Sequence, residues 1–224
     1  MLEIGLGAGP VALKKKISQI ALVKAAKLIG IDVFDTAPLY GSGRSELILG
    51  QSKVGISRVI TKVGLTTEFS IDKPASIRWG YFSAEEIPIH LESSLNRLRS
   101  PSVYGYLLHC FSNEVDLQPQ IKTLVSLKKS SKVEAIGFST DTLLDIPRDY
   151  TWADLIEVPV SLIFDVSISE SQILIVNGIH RTPNGLTILQ EYLMTFPSRS
   201  VIALTGSKNI QHIIAFHRWS LAHR

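Results

Sequence analysis

The sequence has little cysteine, no long apolar run and no strong excess of either charge. Its single cysteine, Cys110, rules out an intramolecular disulfide and is typical of a reducing compartment. All apolar runs are shorter than the ~18 residues of a membrane span, and the first residues lack the basic region of a signal peptide. We therefore expect a cytoplasmic protein that makes no contact with a membrane.

Charge and histidine spacing argue against two further kinds of partner. The formal net charge of +3 over 224 residues is too small to indicate nucleic-acid binding. The six histidines show neither HxH nor HExxH spacing, so no metal site is predicted. Hydrophobic residues make up 45% of the chain and charged residues 19%, as in a folded protein with a well-filled core. We predict one domain that covers residues 1–224.

Short apolar runs alternate with helical patterns along the chain. The predicted strands are Leu2–Gly7, Asp32–Thr36, Arg58–Val63, Val103–His109, Val133–Ser139, Leu155–Phe164, Ile173–Ile179 and Val201–Thr205. The predicted helices are Leu13–Ile29, Ser45–Ser52, Ser83–Leu98, Leu117–Lys129, Thr142–Ile146, Leu186–Thr195 and Ile210–Ala222; the sixth connection is too short to assign. An alternation of eight such units predicts a (β/α)8 TIM barrel, which collects its functional side chains at the carboxyl ends of the strands.

A doubly wound fold is the alternative, because Gly5, Gly7 and Gly9 follow the first strand and precede a helix. The dinucleotide-binding fingerprint needs a further glycine where Pro10 stands. Asp35, the acid at the end of the second strand, already has a cationic partner in Lys62 on the next strand. We therefore favour the barrel.

Four of the predicted strands end in polar or ionisable side chains, which are Asp35, Lys62, His109 and Ser139. Tyr40 follows the second strand on a turn rich in proline and glycine. Period-two alternation places the four strand ends on the inward face, so we expect them to converge at one mouth of the barrel.

These residue types are suited to the delivery of a proton. A buried Asp35 needs a cationic partner, which Lys62 supplies. The ammonium of Lys62 is expected to lower the pKa of Tyr40, and one ring nitrogen of His109 can orient a bound oxygen. Such a group can protonate a developing alkoxide, but no side chain supplies a hydride, so a nicotinamide cofactor is required.

The segment FDTAPLYGSGRSE, residues 34–46, resembles the signature of the aldo-keto reductases. The segments ITKVG, YLLH, VEAIGFST and VIALTGSKNIQHI follow in the family's order, so that the resemblance covers about residues 5 to 216. It implies a (β/α)8 barrel that binds NADPH, or less often NADH, across its mouth. It also implies that an aldehyde or ketone is reduced, or an alcohol or sugar lactol oxidised.

The resemblance assigns roles to residues of this chain. Asp35, Tyr40, Lys62 and His109 match the catalytic tetrad, with Tyr40 as the general acid. The implied cofactor contacts are Gly7, Ala8, Asp35, Ser139, Thr140, Glu157, Asn177, Gly178, Gly206, Ser207, Lys208 and Gln211.

The cofactor positions depart from the family pattern at several points. Thr140 stands where the family has asparagine, and Glu157 stands where it has glutamine. The carboxyl group of Glu157 either favours the oxidised, positively charged nicotinamide or is itself protonated, and both alternatives remain open. Ile214 and Phe216 replace an arginine and an asparagine, which leaves Lys208 to pair with a 2′-phosphate and favours NADPH over NADH.

The expected barrel has no N-terminal hairpin and short loops at its carboxyl face, so its mouth should be open. Trp79, Tyr81 and Phe82, in the longest connection, either wall a site for a small carbonyl or sugar-like substrate or pack as a plug on the rim. The altered cofactor positions keep a second function open, that of a regulatory subunit which senses the nucleotide without catalysis. The oligomeric state is not predicted.

Overall fold

Eight parallel strands close into a barrel in this chain, of which the computed structural model describes residues 1–13, 16–52, 58–64, 66–70, 73–78, 83–109 and 116–223. In chain order the strands are β1 (Leu2–Gly7), β2 (Val33–Asp35), β3 (Arg58–Val63), β4 (Thr66–Ser70), β5 (Lys73–Arg78), β6 (Val103–His109), β7 (Val133–Ser139), β8 (Leu155–Pro159), β9 (Ile173–Asn177) and β10 (Ser200–Thr205). The barrel order is β1-β10-β9-β8-β7-β6-β3-β2, and β4 and β5 form a separate antiparallel pair. The predicted (β/α)8 barrel is confirmed.

Six α-helices lie in the described part of the chain. They are α1 (Lys16–Leu28), α2 (Arg44–Gln51), α3 (Glu86–Leu98), α4 (Gln118–Lys129), α5 (Gly185–Thr195) and α6 (Ile210–Leu221). The helix predicted from Ser83 begins three residues later, at Glu86, and the backbone N–H of Ser83 donates to the carboxylate of Glu86 at 2.7 Å. None of the described helices combines the length and the apolar character that a membrane crossing requires.

Two predicted elements differ from the structure, and one observed element was not predicted. The sixth strand ends at Pro159, and residues Val160–Leu162 form a 3-10 helix, because proline has no N–H to extend a strand ladder. The predicted helix Thr142–Ile146 is only a 3-10 turn at Leu143–Asp145. The hairpin β4–β5 was not predicted, since residues 71–72 contain none of the glycine pairs that are typical of a hairpin turn.

The barrel interior is filled by one side-chain cluster that draws on seven of the eight barrel strands. Its members are Val33, Ile60, Leu107, Ala135, Leu155, Ile175, Ile202 and Leu204. The eighth strand, β1, contributes Gly5, where a Cβ would lie 2.7 Å from the side chain of Leu204. A larger cluster lies between the strands and the helices. The interior is therefore apolar up to the level at which the polar strand ends begin.

Among the described glycines, Gly137 of β7 leaves the least room for a side chain. A Cβ at this position would lie 1.8 Å from the carbonyl oxygen of Leu155 on β8. Gly137 and Leu155 are register partners, so the strands can pair as observed only if position 137 has no side chain.

We predict that Gly137→Ala destabilises the fold by about 3 kcal/mol or more, because the backbone of β8 must move to admit the methyl group. Urea unfolding followed by circular dichroism measures the change. Gly206→Ala is the matched control, since its Cβ would meet no atom closer than 3.6 Å, and its unfolding midpoint should stay near that of the wild type. Equal midpoints for the two variants would contradict the prediction.

Candidate active site

Ionisable side chains from separate strands meet at the carboxyl mouth of the barrel. Asp35 ends β2, Lys62 is next to last in β3, and His109 ends β6. Across the sheet His109 is the register partner of Ser139, which is in turn the partner of Glu157 on β8. The structure therefore brings together the strand ends that the sequence singles out.

Lys62 lies between two carboxylates and is fully buried. Its ammonium donates to the Oδ2 of Asp35 and to the carbonyl oxygen of Thr36, the latter at 3.2 Å. Its Nζ also lies 3.2 Å from the Oε2 of Glu157, a contact between β3 and β8 that the sequence did not predict. The Nδ2 of Asn177 donates to the other oxygen of Glu157 at 3.1 Å and fixes the carboxylate plane.

The pKa values of Lys62 and Asp35 depend on the competition of two carboxyl groups for one ammonium. Burial disfavours the charged form of Lys62, but the carboxylates of Asp35 and Glu157 outweigh it and raise the pKa of Lys62 well above its usual value. Burial and the neighbouring Glu157 raise the pKa of Asp35 to about 8, against the opposing effect of Lys62. The cluster therefore has two carboxyl groups for one ammonium, and burial opposes the ionisation of both carboxyl groups at once.

Tyr40 lies on the turn that follows β2 and faces this cluster. The Nζ of Lys62 is 5.4 Å from the centre of the Tyr40 ring, and the ring of His109 stands nearly perpendicular to it, with centroids 6.2 Å apart. Burial raises the pKa of Tyr40 above its usual value. Lys62 opposes this shift, as expected, but Asp35 and Glu157 reinforce it. Tyr40 is therefore protonated at neutral pH and can donate a proton.

His109 is buried beside the same charge. Burial, and then the ammonium of Lys62, lower the pKa of His109 to about 3, so its ring is neutral at physiological pH. Its Nδ1 is buried and has no hydrogen-bond partner among the described residues. A neutral ring keeps one N–H to donate and one nitrogen to accept.

The turn that carries Tyr40 is anchored to the barrel by short polar contacts. The hydroxyl of Thr36 donates to that of Ser45 at 2.9 Å, and Ser45 donates to the carbonyl oxygen of Ala8 at 2.9 Å. Gly41, with φ of 63°, lies so close to Ala12 that a Cβ would stand 2.8 Å from the methyl group. The backbone on both sides of Tyr40 is therefore fixed.

A second anchor, which the sequence reasoning missed, is the buried carboxylate of Glu46 at the start of α2. It accepts hydrogen bonds from the hydroxyl of Thr61 at 2.7 Å and from the Nε of Arg97 at 2.6 Å. Thr61 is the neighbour of Lys62 in β3, and Arg97 belongs to α3. The only sequence signal was the acidic residue at the end of the FDTAPLYGSGRSE segment.

A pocket of about 570 Å³ opens above the cluster. Its lining includes nine of the predicted site residues, which are Gly7, Asp35, Tyr40, His109, Ser139, Glu157, Asn177, Gly178 and Gly206. Asp141, His180 and Arg181 also line it and were not predicted; each lies just beyond a strand end, the position where such residues can be sought.

The other predicted residues lie around or outside the pocket. Ala8 and Thr140 are fully buried, and the hydroxyl of Thr140 donates to the carbonyl oxygen of Thr142, within its own turn. Lys208 and Gln211 are exposed. Trp79, Tyr81 and Phe82 lie outside the described residues.

The amino terminus of α6 stands next to Gly206 at the pocket rim. The Oδ1 of Asn209 caps this helix by accepting from the N–H of Gln211 at 3.0 Å, and the hydroxyl of Ser207 accepts from the N–H of Asn209 at 3.1 Å. A helix amino terminus favours an anionic group. Within the described residues no cluster of histidine, cysteine, aspartate or glutamate is arranged to hold a metal ion.

Comparison with known proteins gives a family match for most of the chain. Residues 3–158 match the model of the Aldo/keto reductase family. Aldo-keto reductase YhdN of Bacillus subtilis (strain 168) is 28% identical over 156 residues, which are 69% of this chain and 46% of that protein. L-galactose dehydrogenase of Arabidopsis thaliana is 33% identical over 144 residues, which are 62% of this chain and 42% of that protein. The chain thus spans less than half the length of these two curated relatives.

A solved structure shares the fold over nearly the whole chain. An aldo-keto reductase from Klebsiella pneumoniae, solved in complex with NADPH, superposes with a TM-score of 0.68 and 20% identity. The superposition covers 94% of this chain and 82% of the other.

Removal of the Glu46 charge should destabilise the protein by about 2 kcal/mol, because Glu46→Gln leaves Arg97 without its buried counterion. Chemical denaturation at neutral pH measures the loss. Glu92→Gln is the control, since Glu92 pairs with Lys132 on the surface, where an ion pair contributes less than about 1 kcal/mol. Equal losses of stability in the two variants would contradict the prediction, because the buried pair would then contribute no more than the surface pair.

Acid should weaken the fold through His109. The pKa of His109 is lowered in the folded state, so protonation of this ring favours the unfolded chain. The stability that the neutral ring contributes is fully present above pH 6.5 and is lost as pH falls towards 3. Between pH 7.5 and 5.0 the wild type should lose about 2 kcal/mol more than His109→Gln. Urea unfolding of both proteins at the two pH values tests this, and parallel losses would contradict it.

Proposed function

The chain belongs to the aldo/keto reductase family, and from this membership and the pocket geometry we propose that it is an NADP(H)-dependent oxidoreductase that interconverts carbonyl compounds and alcohols. The observation that carries the proposal is the buried Lys62, paired with Asp35 and placed 5.4 Å from the ring of Tyr40 at the mouth of the barrel. A buried ammonium held beside a phenol in this way contributes less to the stability of the fold than to the transfer of a proton.

The pocket residues fit a nicotinamide nucleotide. Gly7, Gly9 and Gly206 line one wall and leave the backbone accessible to an extended ligand. Deeper in the pocket, the buried Nδ1 of His109 and Oε2 of Glu157 have no hydrogen-bond partner among the described residues and can contact a polar group. The amino terminus of α6 adjoins the same wall and is suited to a phosphate.

Two groups of residues would hold the nucleotide. Ser139 and Asn177 line the deep end of the pocket and would bind the nicotinamide portion. Ser207 and Lys208 would bind a phosphate at the start of α6, and the free ammonium charge of an exposed lysine favours a 2′-phosphate and hence NADP(H). The bound nucleotide would supply or accept the hydride.

The chain's own residues handle the proton. Tyr40 is protonated at neutral pH and donates its proton to the oxygen of a carbonyl substrate as negative charge develops there. Lys62 keeps its charge beside Tyr40 and stabilises the phenolate that is left. Asp35 holds Lys62 in place, and the neutral ring of His109 donates a hydrogen bond that orients the substrate oxygen.

For the oxidation of an alcohol, the same contacts act in reverse. Tyr40 must first lose its proton; the raised pKa of its hydroxyl opposes this step, which therefore becomes easier only as pH increases. The substrate class we propose is a small carbonyl compound or a sugar-like alcohol or lactol, with Trp79, Tyr81 and Phe82 as candidate walls of its site. The single cysteine supports a reducing, cytoplasmic location.

A nucleotide-sensing subunit without turnover is the second candidate. It is favoured by Thr140, whose hydroxyl is engaged within its own turn, and by the apolar Ile214 and Phe216 at positions where the family resemblance leads one to expect polar residues.

Replacement of the acid separates the two candidates. We predict that Tyr40→Phe lowers turnover about 10³-fold or more while the dissociation constant of NADPH changes little, because the phenol acts on the substrate oxygen. Turnover is followed by NADPH absorbance with a panel of aldehydes and ketoses, and with alcohols and lactols plus NADP⁺. Calorimetry gives the binding constant.

Tyr104→Phe is the matched control. Tyr104 is the second residue of β6, at the opposite rim of the barrel beside Arg58, and its hydroxyl has no part in the proposed chemistry. Full activity in Tyr40→Phe would refute the mechanism. Nucleotide binding by the wild type without turnover of any substrate would favour the sensing role.

A further inference from the structure

Glu157 is a second carboxylate at the proposed reaction centre, beyond the one that Lys62 needs for charge balance. It lies in the middle of β8, is only 2% exposed and lines the pocket. Its neighbours in the strand, Ile156 and Val158, are fully buried on the opposite face. A carboxyl group is placed in this setting only at a large desolvation cost.

The orientation of the Glu157 carboxylate is set by two contacts. Its Oε1 accepts from the amide of Asn177 at 3.1 Å. Its Oε2 lies 3.2 Å from the Nζ of Lys62, in ion-pair range, but accepts no hydrogen bond from any described residue. This oxygen is buried and has unused accepting capacity at the wall of the pocket.

The deep end of the pocket has more carboxyl groups than cationic groups. Asp35 and Glu157 face the single ammonium of Lys62, and the His109 ring is neutral. Further out, Asp141 and Arg181 both line the pocket and balance each other. Once both carboxyl groups are ionised, such a wall attracts a cationic group more strongly than a neutral one, because the surrounding side chains screen its charge poorly.

We infer that Glu157 makes the pocket bind the oxidised nicotinamide nucleotide, whose ring is positively charged, in preference to the reduced one, whose ring is neutral. This rests on the proposed function, because it concerns the same nucleotide site. The consequence is that the bound nucleotide becomes a stronger hydride donor, because hydride transfer to a carbonyl converts the neutral ring into the cationic ring that the site favours. Glu157 acts as a specificity-determining residue for the redox state of the nucleotide.

Binding constants test this without any turnover. Calorimetric titration of the wild type with NADP⁺ and with NADPH at pH 9, where the carboxyl pair has released its proton, gives the ratio of the two dissociation constants. We expect Glu157→Gln, which keeps the size and an acceptor for Asn177, to shift this ratio about tenfold towards NADPH. Glu157→Asp retains the charge and should keep most of the preference for NADP⁺.

The matched control is Glu134→Gln, which removes an exposed carboxylate from the neighbouring strand β7 and should leave the ratio unchanged. If both nucleotides bind the wild type and Glu157→Gln leaves the ratio unchanged, Glu157 does not select the oxidised ring and the inference is wrong. If neither nucleotide binds the wild type, the proposed function fails, and the inference fails with it.

The pH dependence of binding provides a second test that needs no variant. The ionisable groups that face Glu157 are Asp35, Tyr40, Lys62 and Asp141. Because the pKa of Asp35 is about 8, the carboxyl pair retains a proton at neutral pH and releases it above that value. A cationic ring favours the deprotonated pair.

The preference for NADP⁺ over NADPH should therefore increase severalfold between pH 6.5 and pH 9 in the wild type. A ratio that stays constant over this interval would overturn the inference even if Glu157→Gln did not fold. In a folded Glu157→Gln the dependence should largely disappear, because Asp35 and Lys62 then balance each other.

Discussion

The buried ammonium of Lys62 is the interaction on which the mouth of the barrel depends. The ammonium can be removed from water only where carboxylates pair with it, and these carboxylates come from β2 and from β8. The strand order places β8 three positions away from β3, so the contact with Glu157 crosses the barrel mouth. The charged group can therefore form only when the sheet has closed into a cylinder.

The apolar filling beneath this group has an electrostatic role as well as a packing role. Leu107 and Ile60 belong to the layer of aliphatic side chains directly below, where no water or counter-charge can screen the cluster. The ion pairs of Arg58 with Glu3 and Asp32 lie instead at the opposite rim and are partly exposed. The ion pairs that stabilise the barrel and the residues of the proposed chemistry thus lie at different ends of the same strands, as is usual in this architecture.

Much of this arrangement could be predicted from the sequence, because it depends on local rules. Strand alternation and the parity of residues along each strand were enough to bring Asp35, Lys62 and His109 to one mouth. The pairing of Lys62 with Glu157 was not predictable in the same way, because it depends on the cross-section of the closed barrel. The expected effect of Lys62 on Tyr40 had the right sign but was outweighed by burial, a quantity that a sequence does not contain.

Through the hydrogen bond between Glu46 and Arg97, the outer layer of helices helps to position Tyr40. Arg97 also covers Gly43 in the Tyr40 turn, where a Cβ would come within 2.7 Å of its side chain, and it donates to Ser94 one turn earlier in α3. The face of α3 that holds this guanidinium is therefore less free to vary than its distance from the pocket suggests. Mutational drift or redesign at Arg97, undertaken for solubility or assembly, would therefore change the packing of the turn that carries Tyr40 as well as the stability of the fold.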